Sequence, residues 1–104
     1  LLHELDAGSD GTMTGFALPE VLARIVAAHR AGDRETARTV FEAFLPLMVF
    51  EAQPGAGVAL RKEILRRRGA IAHATARQPA PTPDAFSLAA LDRMLAEAEA
   101  LVAT

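Results

Sequence analysis

The chain contains one strand-like segment, Gly11 to Phe16, and all its other patterns are helical. This lone strand constrains the fold most strongly. The segment is too short and too rich in glycine for a central helix, whereas Thr12, Thr14 and Phe16 suit a short buried strand. A single strand cannot form a sheet, because its backbone groups need neighbouring strands as hydrogen-bond partners. The sequence therefore predicts that the partner strands lie outside these 104 residues.

The residues on either side of this strand have helical spacing. Leu1 to Leu5 looks like the tail of a helix, with its leucines on one face. Pro19 fits the first turn of a helix that ends at Gly32, since a proline at that position loses no hydrogen bond. Asp33 is predicted to cap the next helix. Pro46 lies inside that helix, and we expect a kink because the apolar pattern resumes after it.

The second half of the chain predicts two further helices. A loop at 53–57 precedes the third helix, which is expected to end at Arg68 with Gly69 as its C-terminal cap. Three prolines in the segment 71–84 block both helix and central strand, so we expect an extended connector. The last helix starts near Asp84 or Ser87. Its buried face is predicted to hold Leu88, Leu91, Leu95, Ala98 and Val102.

Composition excludes several classes of protein. Hydrophobic residues make up 51% of the chain and its net charge is −2, which describes a folded chain of one modest domain. No apolar run approaches the roughly 20 residues that cross a bilayer, and the N-terminus has no basic signal region. There is no cysteine, which fits a reducing compartment. We therefore expect a cytoplasmic protein without a membrane partner.

A basic cluster in the third helix contains Arg61, Lys62, Arg66, Arg67 and Arg68. Nucleic-acid binding would join such a patch to aromatic stacking groups or a groove-reading motif, but the chain has no Tyr and no Trp. Cations in the last turn of a helix also interact favourably with its C-terminal carbonyls. This second interpretation is favoured, and no nucleic-acid partner is predicted.

The segment that leads into the strand also resembles a calcium loop. Asp6, Gly8, Asp10 and Gly11 fall at positions one, three, five and six of the EF-hand pattern. Position twelve normally supplies a bidentate Glu, but here it is Ala17, and the glycine at position three has no ligand oxygen. Calcium binding is therefore not expected. The histidines are too scattered for a zinc pair, so neither a metal nor another cofactor is predicted.

The order of the motifs carries a family resemblance. The chain resembles the C-terminal third of the dihydrodipicolinate synthase and N-acetylneuraminate lyase family in GSDGTMTGFALPE, AGDRETA, FLPL, ALRKEIL with a following Gly69, and Arg77-Gln78-Pro79. This resemblance implies a mostly α chain that holds the final strand and helix of a (β/α)8 TIM barrel followed by a C-terminal helical bundle. Residues 1–32 would then be the helix 7 tail, strand 8 and helix 8, and residues 33–104 the bundle.

The resemblance also implies an activity. Members of the family are lyases that act on 2-keto acids of the pyruvate type through a Schiff base on a barrel lysine, with a tyrosine that relays protons. This chain has no Tyr, and its single Lys, Lys62, matches a position in the bundle and not the nucleophile. Lys62 is better explained by packing or an ion pair. The chain alone is therefore expected to be inert and to have no catalytic residue.

Two residues are candidates for a minor role in substrate binding. By resemblance, Met13 lies on strand 8 where its main-chain carbonyl faces the catalytic end of the barrel, and Gly11 allows close approach of the backbone. Met13 as an ordinary core residue is the alternative.

Two classes of function remain open. The first is the C-terminal part of a cytoplasmic lyase that forms a homo-oligomer, a tetramer or dimer by resemblance. The first is favoured. The alternative is a free-standing helical module for protein interaction, because the amphipathic helices have enough apolar surface to pack or to bind a partner.

Overall fold

The structure, a computed structural model, describes residues 1–103 and contains five helices. They are α1 (Leu2–Asp6), α2 (Pro19–Arg30), α3 (Arg34–Glu51), α4 (Gly57–Arg67) and α5 (Ala85–Ala103). Within the described residues there is no strand. The predicted mostly α class is confirmed.

Local signals define where α2 and α3 begin. Pro19 is the first residue of α2, as predicted. The Asp33 carboxylate accepts a hydrogen bond from the Thr36 amide at 3.1 Å, and this bond holds the pKa of Asp33 below its usual value. α3 continues through Pro46 to Glu51, which confirms that the helix resumes beyond the proline. The predicted kink at Pro46 stays a prediction.

The ends of α4 and α5 also follow the sequence. Gly69 has a φ of +76°, and the Ala70 amide donates to the Leu65 carbonyl at 3.0 Å, as in a glycine-terminated helix. The Asp84 carboxylate accepts from the Ser87 amide at 2.8 Å and caps α5. Between these helices the connector 71–84 has neither helix nor strand, as predicted, and contains a cis Gln78–Pro79 peptide bond.

The core surrounds α3, which packs against α2 and α5 most extensively and also against α4 and α1. Ile25, Leu47 and Leu91 from α2, α3 and α5 are completely buried in one cluster. Leu95 and Val102 of the predicted α5 face pack against this cluster but are only partly buried. A single core therefore crosses the predicted boundary between residues 32 and 33, and that division stays a prediction.

The predicted strand requires a correction for this chain. Gly11 to Phe16 has no regular secondary structure, and Thr12 and Thr14 are exposed and not buried as expected. Phe16 is buried, together with Ala17 and Leu18. An extended segment becomes a strand only when it pairs with a neighbour, and the described residues supply none.

Gly57, the first residue of α4, lies against the end of α3. A Cβ at Gly57 would come within 2.5 Å of the Glu51 carbonyl oxygen, a main-chain atom that cannot move independently. Gly57→Ala is expected to lower the free energy of unfolding by about 1–3 kcal/mol, even though alanine is the better helix former. Urea denaturation measures this loss.

Gly11→Ala is the matched control for Gly57→Ala, because Gly11 has open space around its Cα and no positive φ. It should change the free energy of unfolding by less than about 0.5 kcal/mol. Equal losses from the two variants would show that the contact with Glu51 does not decide the effect.

Candidate functional site

The strand-like segment and the two helices behind it form the candidate site. Residues 11–15 run along the surface, and the chain then turns inward at Phe16 to enter α2. A cleft of about 160 Å³ lies beside this segment. It is lined by Leu1, Thr12, Thr14, Phe16, Leu22, Phe41, Met48, Glu51, Ala52 and Arg61. The cleft therefore combines two hydroxyls and an ion pair with an apolar wall.

A buried carboxylate joins three parts of the chain at this cleft. The Glu51 side chain is 2% exposed, and its Oε1 accepts from Nε of Arg61 at 2.8 Å. Its Oε2 accepts from the Ala17 amide at 3.2 Å. Both carboxylate oxygens thus have partners, as a buried charge requires. Glu51 thereby connects α3 to α4 and to the end of the strand-like segment.

Arg68 completes the contacts around Ala17. One guanidinium NH₂ group of Arg68 donates to the Ala17 carbonyl at 2.6 Å, and the other forms an ion pair with Glu20. The amide and the carbonyl of Ala17 are therefore both bound to charged side chains. Gly15 contributes space, because a Cβ there would lie 2.7 Å from an Arg61 guanidinium nitrogen.

The two predicted substrate-binding residues lie on the exposed part of the segment. Met13 is 98% exposed, so in this chain it is not a core residue. Within residues 1–103, the backbone groups of Met13 form no hydrogen bond. Gly11 is half-buried, and its carbonyl accepts from the Ser9 hydroxyl at 2.8 Å. The role of the Met13 carbonyl and of Gly11 stays a prediction.

The basic cluster of α4 is largely engaged by acids. Glu63 is buried and pairs with Arg66 and Arg67, and Arg67 also pairs with Asp92 of α5. Lys62 donates to the Thr75 carbonyl at 3.0 Å and so attaches the connector to α4. Attraction between these cations and the helix C-terminus therefore does not account for the whole cluster. Several of its side chains bind groups outside α4 and connect this helix to its neighbours.

Asp6, the first position of the calcium-like pattern, is bound by an arginine and a histidine. It accepts from the Arg34 guanidinium at 2.7 Å, and the Nε2 of His29 lies 3.0 Å from its other oxygen. These partners, with Arg34 the larger effect, hold the pKa of Asp6 well below its usual value. In the described part of the chain, no three histidine or acidic side chains are grouped to hold a metal ion.

The low pKa of Asp6 predicts an acid-dependent contribution to stability. An acid whose folded pKa is depressed stabilises the fold above its unfolded pKa of about 3.9, and the contribution disappears as pH falls below that value. Asp6→Asn should therefore be less stable than the native chain at pH 6, and the difference should narrow between about pH 4 and pH 2. Melting temperatures of both proteins across this range measure it, and a constant difference would contradict the assignment.

A larger groove of about 330 Å³ lies between α4 and the connector. Its walls are mostly alanine, proline and threonine, and the one acid in it, Glu63, is already bound by arginines. This groove therefore offers no free acid, base or nucleophile, and the candidate site remains the cleft beside residues 11–18.

The chain has the helical arrangement of the C-terminal part of a TIM-barrel protein, a class that comparison with a solved structure gives. Its structure superposes on the crystal structure of dihydrodipicolinate synthase from Rhodopseudomonas palustris with a TM-score of 0.89 and 33% identity, over 92% of this chain and 32% of that one. L-2-keto-3-deoxyarabonate dehydratase of Azospirillum brasilense is 36% identical over 81 residues, or 78% of this chain and 26% of that protein. A comparison with models of protein families found no match.

The chain belongs to the dihydrodipicolinate synthase family and resembles its C-terminal part, as the motif order predicted. It spans about a quarter of the length of the curated relative. In residues 1–103, no helix has both the length and the apolar character needed to cross a membrane.

Proposed function

We propose that the chain supplies the last strand, the last helix and the C-terminal bundle of a lyase that acts on 2-keto acids. The observation that carries the proposal is the superposition of the chain on a dihydrodipicolinate synthase, together with the exposed, unpaired segment 11–15 beside the helices. A segment held in this way can join neighbouring strands without refolding the helices behind it.

In this proposal the reactive groups belong to the rest of the parent protein. The Schiff-base lysine and the proton-relay tyrosine would lie on earlier strands, because this chain has no Tyr and its Lys62 is bound to the connector. The chain would contribute the carbonyl of Met13 near the reacting centre. The 104-residue chain alone would therefore be inert.

The parent is proposed to be a cytoplasmic homo-oligomer, as the family resemblance implies. The free-standing interaction module stays the alternative predicted from the helices.

A chimera tests the proposed function directly. The part of the Azospirillum dehydratase that matches this chain would be replaced by the chain, and dehydration of L-2-keto-3-deoxyarabonate would be assayed. We expect the chimera to catalyse the reaction and the isolated chain to show none. A folded chimera that neither dehydrates the substrate nor gives a borohydride-trapped adduct with pyruvate would contradict the proposal.

Thr12→Pro provides the matched control for the chimera. Thr12 is exposed in this chain, whereas a proline within a paired strand would remove a ladder hydrogen bond. The variant should leave the unfolding of the isolated chain nearly unchanged and strongly reduce the activity of the chimera. Equal activity with and without the proline would argue against a paired strand at this position.

A further inference from the structure

Two charged side chains hold the peptide groups of Ala17, one from the end of α3 and one from the C-terminal cap of α4, and a third supports the first. Glu51 binds the amide of Ala17, Arg68 binds its carbonyl, and the Arg61 guanidinium lies against Gly15 while it pairs with Glu51. We call Glu51, Arg61 and Arg68 the backbone anchor. Through it, the point where the segment leaves the surface is fixed relative to α3 and α4.

The position of this anchor matters because residues 11–15 continue from it with neither a helix nor a turn. Each extended residue advances about 3.3 Å, so Met13 lies up to roughly 13 Å along the chain from Ala17. A change of about 10° in the direction of the backbone near Ala17 would then displace Met13 by roughly 2 Å. A displacement of about 1 Å can already slow a reaction about a hundredfold, so a shift of this size in the Met13 carbonyl would be large.

Two further observations indicate that the anchor serves orientation as well as stability. Buried ion pairs seldom stabilise a fold more than well-packed apolar residues do, yet Glu51 is buried and paired with Arg61. In addition, Gly15 leaves room for the Arg61 guanidinium, which any larger residue would displace. The missing side chain at Gly15 therefore leaves space for the arginine that pairs with Glu51.

We infer that the backbone anchor positions the segment 11–15, and with it the Met13 carbonyl, for the reaction of the parent enzyme. This inference rests on the proposed lyase function. Glu51, Arg61 and Arg68 are then positioning residues that act through the backbone, without contact with the substrate.

The first measurement uses the chain itself and does not depend on any activity. Glu51→Ala removes the acceptor of the Ala17 amide, so hydrogen exchange at that amide should accelerate at least about tenfold relative to the Leu47 amide. Glu51→Gln keeps an acceptor oxygen and should restore part of the protection. An unchanged exchange rate at Ala17 in Glu51→Ala would overturn the anchor. If Glu51→Ala does not fold, Glu51→Gln should still accelerate exchange at the Ala17 amide by a smaller factor, and no acceleration in that variant would overturn the anchor.

The second measurement uses the active chimera and separates positioning from stability. In Gly15→Ala the flexible end of Arg61 must move, whereas the apolar core is untouched. We expect kcat to fall at least about tenfold at a temperature where the protein is fully folded. Adding Gly15→Ala to Arg61→Ala should cause no further loss, because the two changes disturb one contact.

Glu63→Gln is the matched control in the same chimera. Glu63 is also a buried acid paired with arginines, but among the described residues it forms no hydrogen bond or ion pair with residues 11–18. It should lower stability and leave kcat within about twofold of the native value. Equal losses of kcat in Glu63→Gln and Gly15→Ala, or no loss in Gly15→Ala, would overturn the inference. A native chimera without activity would instead reject the proposed function, and the exchange measurement would still decide whether the anchor exists.

Discussion

Glu51→Ala is expected to lower the free energy of unfolding by about 3 kcal/mol. The change leaves the Arg61 guanidinium and the Ala17 amide without their buried acceptor. Removing one partner of a buried ion pair costs about 3–5 kcal/mol, and the lower end applies because Arg61 is 31% exposed and can regain water. Urea denaturation at low protein concentration measures the loss.

Two control variants distinguish the possible causes of that loss. Glu51→Gln keeps an oxygen acceptor and removes the charge, so the loss should be smaller, about 1–2 kcal/mol. Glu42→Ala removes an exposed acid of the same helix that pairs with Arg38, and should cost less than about 0.5 kcal/mol. If Glu51→Ala costs no more than Glu42→Ala, the buried network does not contribute to the fold as described.

Leu91→Ala is expected to cost a similar amount, about 2–4 kcal/mol, and to weaken the attachment of α5. Leu91 is completely buried. Among the described residues of α5, Ala98 is the only other buried residue. The cavity left by the missing methyl groups faces α3, so hydrogen exchange in α5 should accelerate more than exchange in α2.

Phe86→Ala provides the matched control on the same helix. Phe86 is 88% exposed, so its truncation should change the free energy of unfolding by less than about 0.5 kcal/mol. A loss in Phe86→Ala equal to that in Leu91→Ala would mean that α5 packs against the chain through a different face.

Much of the helical architecture was predictable, because its signals are local. Asp33 caps the helix that follows it, Pro19 begins α2, and Gly69 ends α4 with a positive φ. Each of these residues acts within a few positions of itself, so neighbouring residues are sufficient to interpret it. Periodicity likewise identified Leu91 and Ala98 as buried.

The partners in the site were not predictable, because they are distant in sequence. Arg68 binds Ala17, which lies 51 positions earlier in the sequence, and Glu20, which lies 48 positions earlier. Helical periodicity alone does not identify such distant partners. Glu51 could be read as a surface acid at the end of an apolar helix. One signal was present, the glycine-rich loop after it, which lets the first residue of α4 approach the Glu51 carbonyl.

The strand-like segment shows how local and tertiary information combine. Gly11 to Phe16 has the composition of a strand, and its likeness to a barrel strand was recognised from the surrounding motifs. Pairing depends on neighbouring strands, and residues 1–103 contain none, so the segment is unpaired and has no regular secondary structure. Its end is nevertheless fixed by Glu51 and Arg68.

Hydrogen exchange at the amides of Thr12, Met13 and Thr14 tests the central claim most directly. The measurement would compare the isolated chain with the chimera that supplies the rest of a barrel. In the isolated chain these amides form no hydrogen bond and should exchange rapidly, whereas in the chimera at least part of the segment should be protected about a hundredfold or more. Equal, rapid exchange in a folded chimera would contradict the claim that this segment is the last strand of the barrel.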